Sequence, residues 1–277
     1  VLGVLGYCVQ LYCDFSGGID ISRGAAQMLG ITMAENFQRP IFARSLTEYW
    51  RRWHISLGSW MRDYVFYPLA LSRPFRALGS FARKRFRGML SKIFATSMAT
   101  FVVYFIIGVW HGANFRYLAF GLYNGVLITA ALLLEPLFVR VREKLPIRWD
   151  GWLWHGVQML RTGVIVFIGR YITRAPRLTT ALSMLRRSVT DFSLSQLRGG
   201  AIFSLGMTRL DWLVVLAGLF VLLAVEVYQE RGGRARALLA RQTPAVQGLV
   251  TLLWLAALLL LGALGGYTGA GFIYAQY

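Results

Sequence analysis

The chain has 277 residues, of which 56% are hydrophobic, 14% aromatic and only 15% charged. Soluble domains carry about 25% charged residues, and here the apolar excess is gathered in long blocks, which excludes an ordinary soluble enzyme. Thirty Lys and Arg against twelve Asp and Glu leave a net charge of +18, but the basic residues sit in short runs between apolar blocks. They read as cytoplasmic loops meeting anionic lipid, not as a nucleic-acid interface.

A membrane span needs ~20 mostly apolar residues, and in hydrocarbon the backbone must satisfy itself as helix or closed barrel. The blocks lack the alternating period of barrel strands, so an all-α, multi-span integral membrane fold is predicted. Residues 1–13 form an apolar helix that runs into Asp14-Phe15-Ser16-Gly17-Gly18-Ile19-Asp20. Two acids beside a glycine pair predict a broken helix facing protein or a water-filled cavity. A loop or interfacial helix follows, as far as Pro40. Residues 46–71, dense in Trp, Arg and Tyr, predict a helix at headgroup level or one dipping into the protein from the interface.

Residues 73–92 carry Arg73, Arg76, Arg83, Lys84, Arg85, Arg87 and Lys92 with no acid, which predicts a cytoplasmic loop. Spans are predicted at 93–110, 116–136, 152–172, 210–228 and 247–265. The turn at 111–114 then falls on the outer side. The segment 174–209 fits this alternation poorly, because it would lie outside while carrying Arg174, Arg177, Arg186, Arg187, Arg198 and Arg209. A helix flat on the membrane or a re-entrant helix would account for it. The whole of 1–277 is expected to form one integral-membrane domain, the C-terminal part of a longer protein with N-terminal spans missing here.

Three histidines are the candidates for chemistry. His111 ends a predicted span in Gly108-Val109-Trp110-His111-Gly112-Ala113-Asn114. An ionisable residue there is costly and usually has a task, and its ring is expected to stay neutral and able to accept a proton. Gly108 and Gly112 would let a substrate or a neighbouring backbone come close. The bland alternative is a structural histidine bonded to a carbonyl at a helix end. His54 lies in Glu48-Tyr49-Trp50-Arg51-Arg52-Trp53-His54-Ile55-Ser56-Leu57; on a helix, Trp50 and Arg51 would share its face, as a polar lining or an interfacial anchor. His155, beside Trp154, reads as interfacial. Cys8 and Cys13 imply no disulfide framework, and with three histidines they make a poor metal set, so no metal site is expected. No Gly-x-Ser-x-Gly or phosphate-binding loop occurs.

Four stretches carry a resemblance: Leu11-Tyr12-Cys13-Asp14-Phe15-Ser16-Gly17, the run 46–57, Trp60-Met61-Arg62-Asp63-Tyr64, and Gly108-Val109-Trp110-His111-Gly112. Together they resemble the membrane-bound O-acyltransferase family, in the bacterial branch that serves alginate O-acetylation and teichoic acid D-alanylation. The ending 272–277 is similar to the alginate type. The resemblance implies helices enclosing a tunnel, with His111 at the family's intramembrane histidine and His54 at its second one. It implies catalytic roles for both, and substrate contacts for Trp50, Arg51, Trp110, Asn114, Asp14 and Ser16. It further implies an acyl thioester donor (acetyl-CoA or an acyl carrier protein), no bound cofactor, an extracytoplasmic partner acyltransferase, a polysaccharide acceptor and a bacterial inner-membrane location. D-alanyl transfer to teichoic acid is the nearest alternative. A transporter relying on Asp14 and Asp20, or a scaffold for polysaccharide export, are the rivals from other classes.

Overall fold

Helix is the regular structure that the described residues adopt, as apolar blocks without strand periodicity require; their one departure is an isolated bridge between Phe37 and Trp53. The computed structural model describes residues 1–145, 148–191, 193 and 207–261. Contacts divide the chain into a unit from Val1–Thr190 and a unit from Asp191–Gly271. Among the described residues, four helices are long and apolar enough to cross a membrane: Met89–Trp110, Phe115–Lys144, Arg209–Glu230 and Pro244–Leu261. The chain is a membrane protein with several spans.

In the first unit, α1 (Leu2–Met28) runs unbroken through Gly17 and Gly18, so the expected break at Asp14–Asp20 is absent. The reason lies in its packing. Val4, Tyr7, Leu11 and Phe15 recur at helical spacing and are all buried, and one continuous apolar stripe holds the helix straight. Asp20 is turned to Arg23 at 3.2 Å instead of capping a break.

The interruption comes later. Residues 46–71 are not one helix but α2 (Leu46–Arg52), α3 (Ile55–Met61), a π turn over Arg62–Phe66, and α4 (Tyr67–Leu71). The chain breaks at His54, which sits in the left-handed region with φ 50°. The basic stretch is likewise a helix, α5 (Arg73–Arg85), and not a loop. It turns Phe75, Leu78, Gly79 and Ala82 inward, with Phe86 just beyond its end, and leaves Arg73, Arg76, Arg83, Lys84 and Arg85 exposed.

Helices α6 (Met89–Trp110) and α7 (Phe115–Lys144) form the tightest pair. They cross where Gly108 meets Gly121: a Cβ on Gly108 would stand 2.7 Å from the Tyr117 carbonyl oxygen and 3.0 Å from the Gly121 Cα. Without side chains the two backbones touch, which is how helices gain contact in lipid. Further along the pair, Thr129 Oγ1 donates to the Ser97 carbonyl at 3.2 Å. Helix α7 continues through Pro136, where the span was expected to end. Helix α8 (Trp152–Arg174) occupies the predicted span 152–172 but is not one of the four apolar helices. Amphipathic α9 (Leu178–Thr190) accounts for part of the awkward 174–209 segment; residues 192 and 194–206 of that segment lie outside the described residues.

The second unit contains α10 (Arg209–Glu230), α11 (Ala235–Ala240) and α12 (Pro244–Leu261). Thr208 and Asp211 start α10 with a reciprocal capping box, which satisfies two N-terminal donors. The predicted span 247–265 is helical as far as Leu261, and the rest of it, with the ending 272–277, lies outside the described residues.

The Gly108–Gly121 contact has a direct test. Gly108→Ala should cost about 1–3 kcal/mol, as overpacking does, and lower the unfolding temperature of the detergent-purified intact protein. Gly163→Ala on α8, where an added Cβ meets nothing within 4 Å, should leave that temperature unchanged or raise it.

Candidate active site

The break at His54 is held from outside the helix it starts. Asn36 is buried, and its carbonyl accepts from Ile55 N at 3.0 Å. Its side-chain Oδ1 accepts from Ser56 N at 3.0 Å and from Ser56 Oγ at 3.0 Å. Asn36 therefore does for α3 what an N-cap residue usually does, satisfying the first orphan donors. Gln38 N adds a bond to the Arg52 carbonyl at 2.9 Å. The same Asn36 Oδ1 lies 3.2 Å from His54 Nδ1. An acceptor there places the proton on Nδ1 and the imidazole lone pair on Nε2. Burial pushes the His54 ring down to about 4, so it is neutral at physiological pH.

Behind His54 stands an aromatic and aliphatic cluster: Tyr7, Leu11 and Phe15 from α1, Ala43, and Tyr49 and Trp53 around α2. Phe15 meets the His54 ring edge-on at 4.8 Å, and Tyr49 stacks on Trp53 at 5.7 Å. These contacts fix the ring plane from one side.

His111 arrives on another element. It is the C-cap of α6, its N–H donating to the Ile107 carbonyl at 3.1 Å. Gly112 follows at φ +139°, and a Cβ there would press on the Tyr117 ring at 3.2 Å; glycine is what lets the chain turn away from the helix. The His111 ring is bounded by Trp110, Tyr117 and Phe120 at 4.9, 6.1 and 6.3 Å. Among the described residues nothing hydrogen-bonds to its ring nitrogens. The alternative of a structural histidine tied to a carbonyl therefore finds no such bond here.

Both histidines line one cavity of about 530 Å³, with Trp50, Arg51, Tyr104, Tyr117, Phe120, Asn124 and Arg170 also on its wall. Trp50 is locked in place, its indole N–H donating to Asn124 Oδ1 at 3.1 Å. The helical i, i+4 argument that joined Trp50 and Arg51 to His54 does not hold, because α2 ends at Arg52. The cavity joins them all the same. Of the other expected substrate contacts, Trp110 lies between the histidines, 6.3 Å from the His54 ring. Asn114 caps α7, its side chain accepting from Arg116 N at 3.1 Å. Ser16 Oγ donates to the Tyr12 carbonyl at 2.7 Å. Trp110, Asn114, Ser16 and Asp14 are not among the lining residues. His155 pairs with Arg44 at 3.1 Å, away from the cavity.

Sequence reading missed Asn36, Asn124 and Arg170. Asn36 and Asn124 act through pairings that span 20 and 74 positions, which no local pattern announces. Arg170 did carry a signal, a cation just after the apolar run Val164-Ile165-Val166-Phe167-Ile168 of α8. No group of His, Cys, Asp and Glu suited to a metal occurs among the described residues.

Asn36→Ala should destabilise the intact protein by roughly 1–2 kcal/mol, the loss of a helix cap, seen as a lower unfolding temperature. Ser56→Ala, which leaves both Asn36 bonds to the α3 backbone, should cost less than half of that.

Residues 2–83, from α1 to near the end of α5, match the membrane-bound O-acyltransferase family. The chain is 33% identical over 211 residues to the probable alginate O-acetylase AlgI of Pseudomonas putida, covering 76% of this chain and 38% of that protein. To its counterpart in Azotobacter vinelandii it is 31% identical over 253 residues, 90% of this chain and 44% of that one; a match of that extent must include His111. A teichoic acid D-alanyltransferase of Bacillus subtilis is 32% identical over 129 residues, 47% of this chain and 30% of its own. The chain thus spans less than half the length of these curated relatives. With His54 inside the family match and His111 inside the longer alignment, the chain belongs to the membrane-bound O-acyltransferase family.

Proposed function

We propose that this protein moves an acyl group, acetyl by preference, from a cytoplasmic thioester to a hydroxyl on, or on its way to, an extracellular or cell-wall polysaccharide. The observation that carries the reading is His111: a ring whose nitrogens meet no hydrogen-bond partner among the described residues, facing a cavity that it shares with a second, neutral histidine. His111 takes the proton of the attacking hydroxyl as the general base. His54, oriented by Asn36, meets the substrate with Nε2, while Trp50 and Arg51 position the donor or its carrier. Apolar walls keep water from the thioester. Acetyl is favoured over D-alanyl because the alginate O-acetylase relatives match a larger share of this chain than the D-alanyltransferase does.

In this reading residues 1–277 act as one domain in the bacterial inner membrane, the donor being acetyl-CoA or an acyl carrier protein. The acyl group passes to an extracytoplasmic partner acyltransferase that modifies the polymer. The exposed cations of α5 support a cytoplasmic position for that helix.

The test compares wild type with His111→Ala at matched expression of the intact protein in its native membrane. Ester-linked acyl groups on the cell-surface polysaccharide are released by mild alkali and identified by mass spectrometry. The variant should lose transfer by about 10²–10⁴-fold, the usual worth of a positioned base, while remaining folded and inserted. Esters at wild-type level would instead favour a transporter or scaffold.

A further inference from the structure

Arg170 is a buried cation whose surroundings supply no counter-charge. It lies on α8 with 6% of its surface exposed, and among the described residues no carboxylate pairs with it. Its guanidinium is set between two ring faces, 5.1 Å from the Trp53 centroid and 5.9 Å from Phe120. One nitrogen, Nη2, donates to the Tyr49 hydroxyl at 3.0 Å. A guanidinium offers five N–H donors in a planar fork, so most of its donors are left over. These are not sealed in protein: among the described residues the buried nitrogens without a partner are Arg116 Nε and Trp212 Nε1, and Arg170 lines the cavity with His54 and His111.

A charge held this way is costly to bury. Ring faces and a phenol ease the cost but leave the fork open. What completes such a site is an anionic oxygen, which a guanidinium takes in preference to other ligands.

We propose that Arg170 is the oxyanion-binding residue of this cavity, receiving a negatively charged oxygen of the acyl donor. The inference rests on the acyl-transfer reading above. In that reaction the acceptor hydroxyl oxygen bonds to the thioester carbonyl carbon and its proton passes to His111. The carbonyl π pair moves onto oxygen, where Arg170 stabilises it. Collapse of the intermediate re-forms the carbonyl and expels the thiolate, which takes the proton back from His111. A phosphate of the donor is the second source of the same chemistry.

The experiment uses the intact protein in membrane vesicles and follows His111-dependent thiol release from two donors, acetyl-CoA and S-acetyl-N-acetylcysteamine, which has no phosphate. If the oxygen is the carbonyl's, Arg170→Gln lowers kcat roughly 10²–10³-fold on both donors, as loss of an oxyanion donor does, with KM changed less than about twofold. If it is a phosphate's, the variant raises KM for acetyl-CoA and leaves the short thioester untouched. Arg170→Lys, which keeps the charge but not the fork, should recover part of the loss in either case, and decides the matter if Arg170→Gln does not fold. Wild-type kcat and KM on both donors in a folded variant would overturn the proposal and leave Arg170 as a structural partner of Tyr49. No His111-dependent release by the wild type would instead overturn the acyl-transfer reading beneath it.

Discussion

At Gly108 and Gly121, α6 and α7 meet backbone to backbone, and the placement of His111 depends on that contact. In lipid two helices gain nothing by hiding apolar surface from each other, since the tails are as apolar as the side chains. What they gain is dispersion, and that falls off steeply with any gap. The glycine pair removes the gap. It sets α7 close enough for Tyr117 and Phe120 to reach the end of α6 and enclose the His111 ring. A bulky residue at either position would part the helices where the cavity begins.

The other half of the site is built by giving up helix. Ending α2 at Arg52 and restarting at Ile55 leaves backbone donors unsatisfied, and the chain at 36–38 supplies their partners. The left-handed conformation of His54 is uncommon for a residue with a side chain. It persists because Asn36 holds the ring nitrogen and the backbone ahead of it, while Phe15 and Trp53 pack behind. The result is a histidine that points into the cavity from a fixed direction, which a continuous helix through 46–71 would not have provided.

Polar groups in this unit converge on one space. Asn124 spends its acceptor on Trp50, Asn36 spends its own on α3 and His54, and Arg170 keeps donors in reserve. Their neighbours are aromatic rings and aliphatic chains, so water has little to bind there and charge is weakly screened. Such a setting suits proton transfer between neutral groups and strengthens any interaction with a developing negative oxygen.

Composition and block length alone determined that this is an all-helical membrane protein, because no soluble core needs apolar runs of that length. They also placed apolar helices to within a few residues at α6 and α10, and the Trp-His motifs, through the family resemblance they carry, singled out His54 and His111. Those features are local: a hydrophobic block, a cap, a rare residue type in an apolar run. The continuity of α1, the break at His54, the helical form of 73–85 and the partners of Arg170 were decided only by tertiary structure. For α1, His54 and Arg170 the deciding contact comes from far along the chain, and for 73–85 from the neighbouring α6. A glycine pair bends or breaks a helix only if nothing packs along it, and Val4, Tyr7, Leu11 and Phe15 pack along α1. A good helix sequence breaks if another segment offers its donors better bonds, and Asn36 does so for α3. Pairings across 20, 74 and 121 positions leave no period in the sequence, and it is they that turn two histidine motifs into one site.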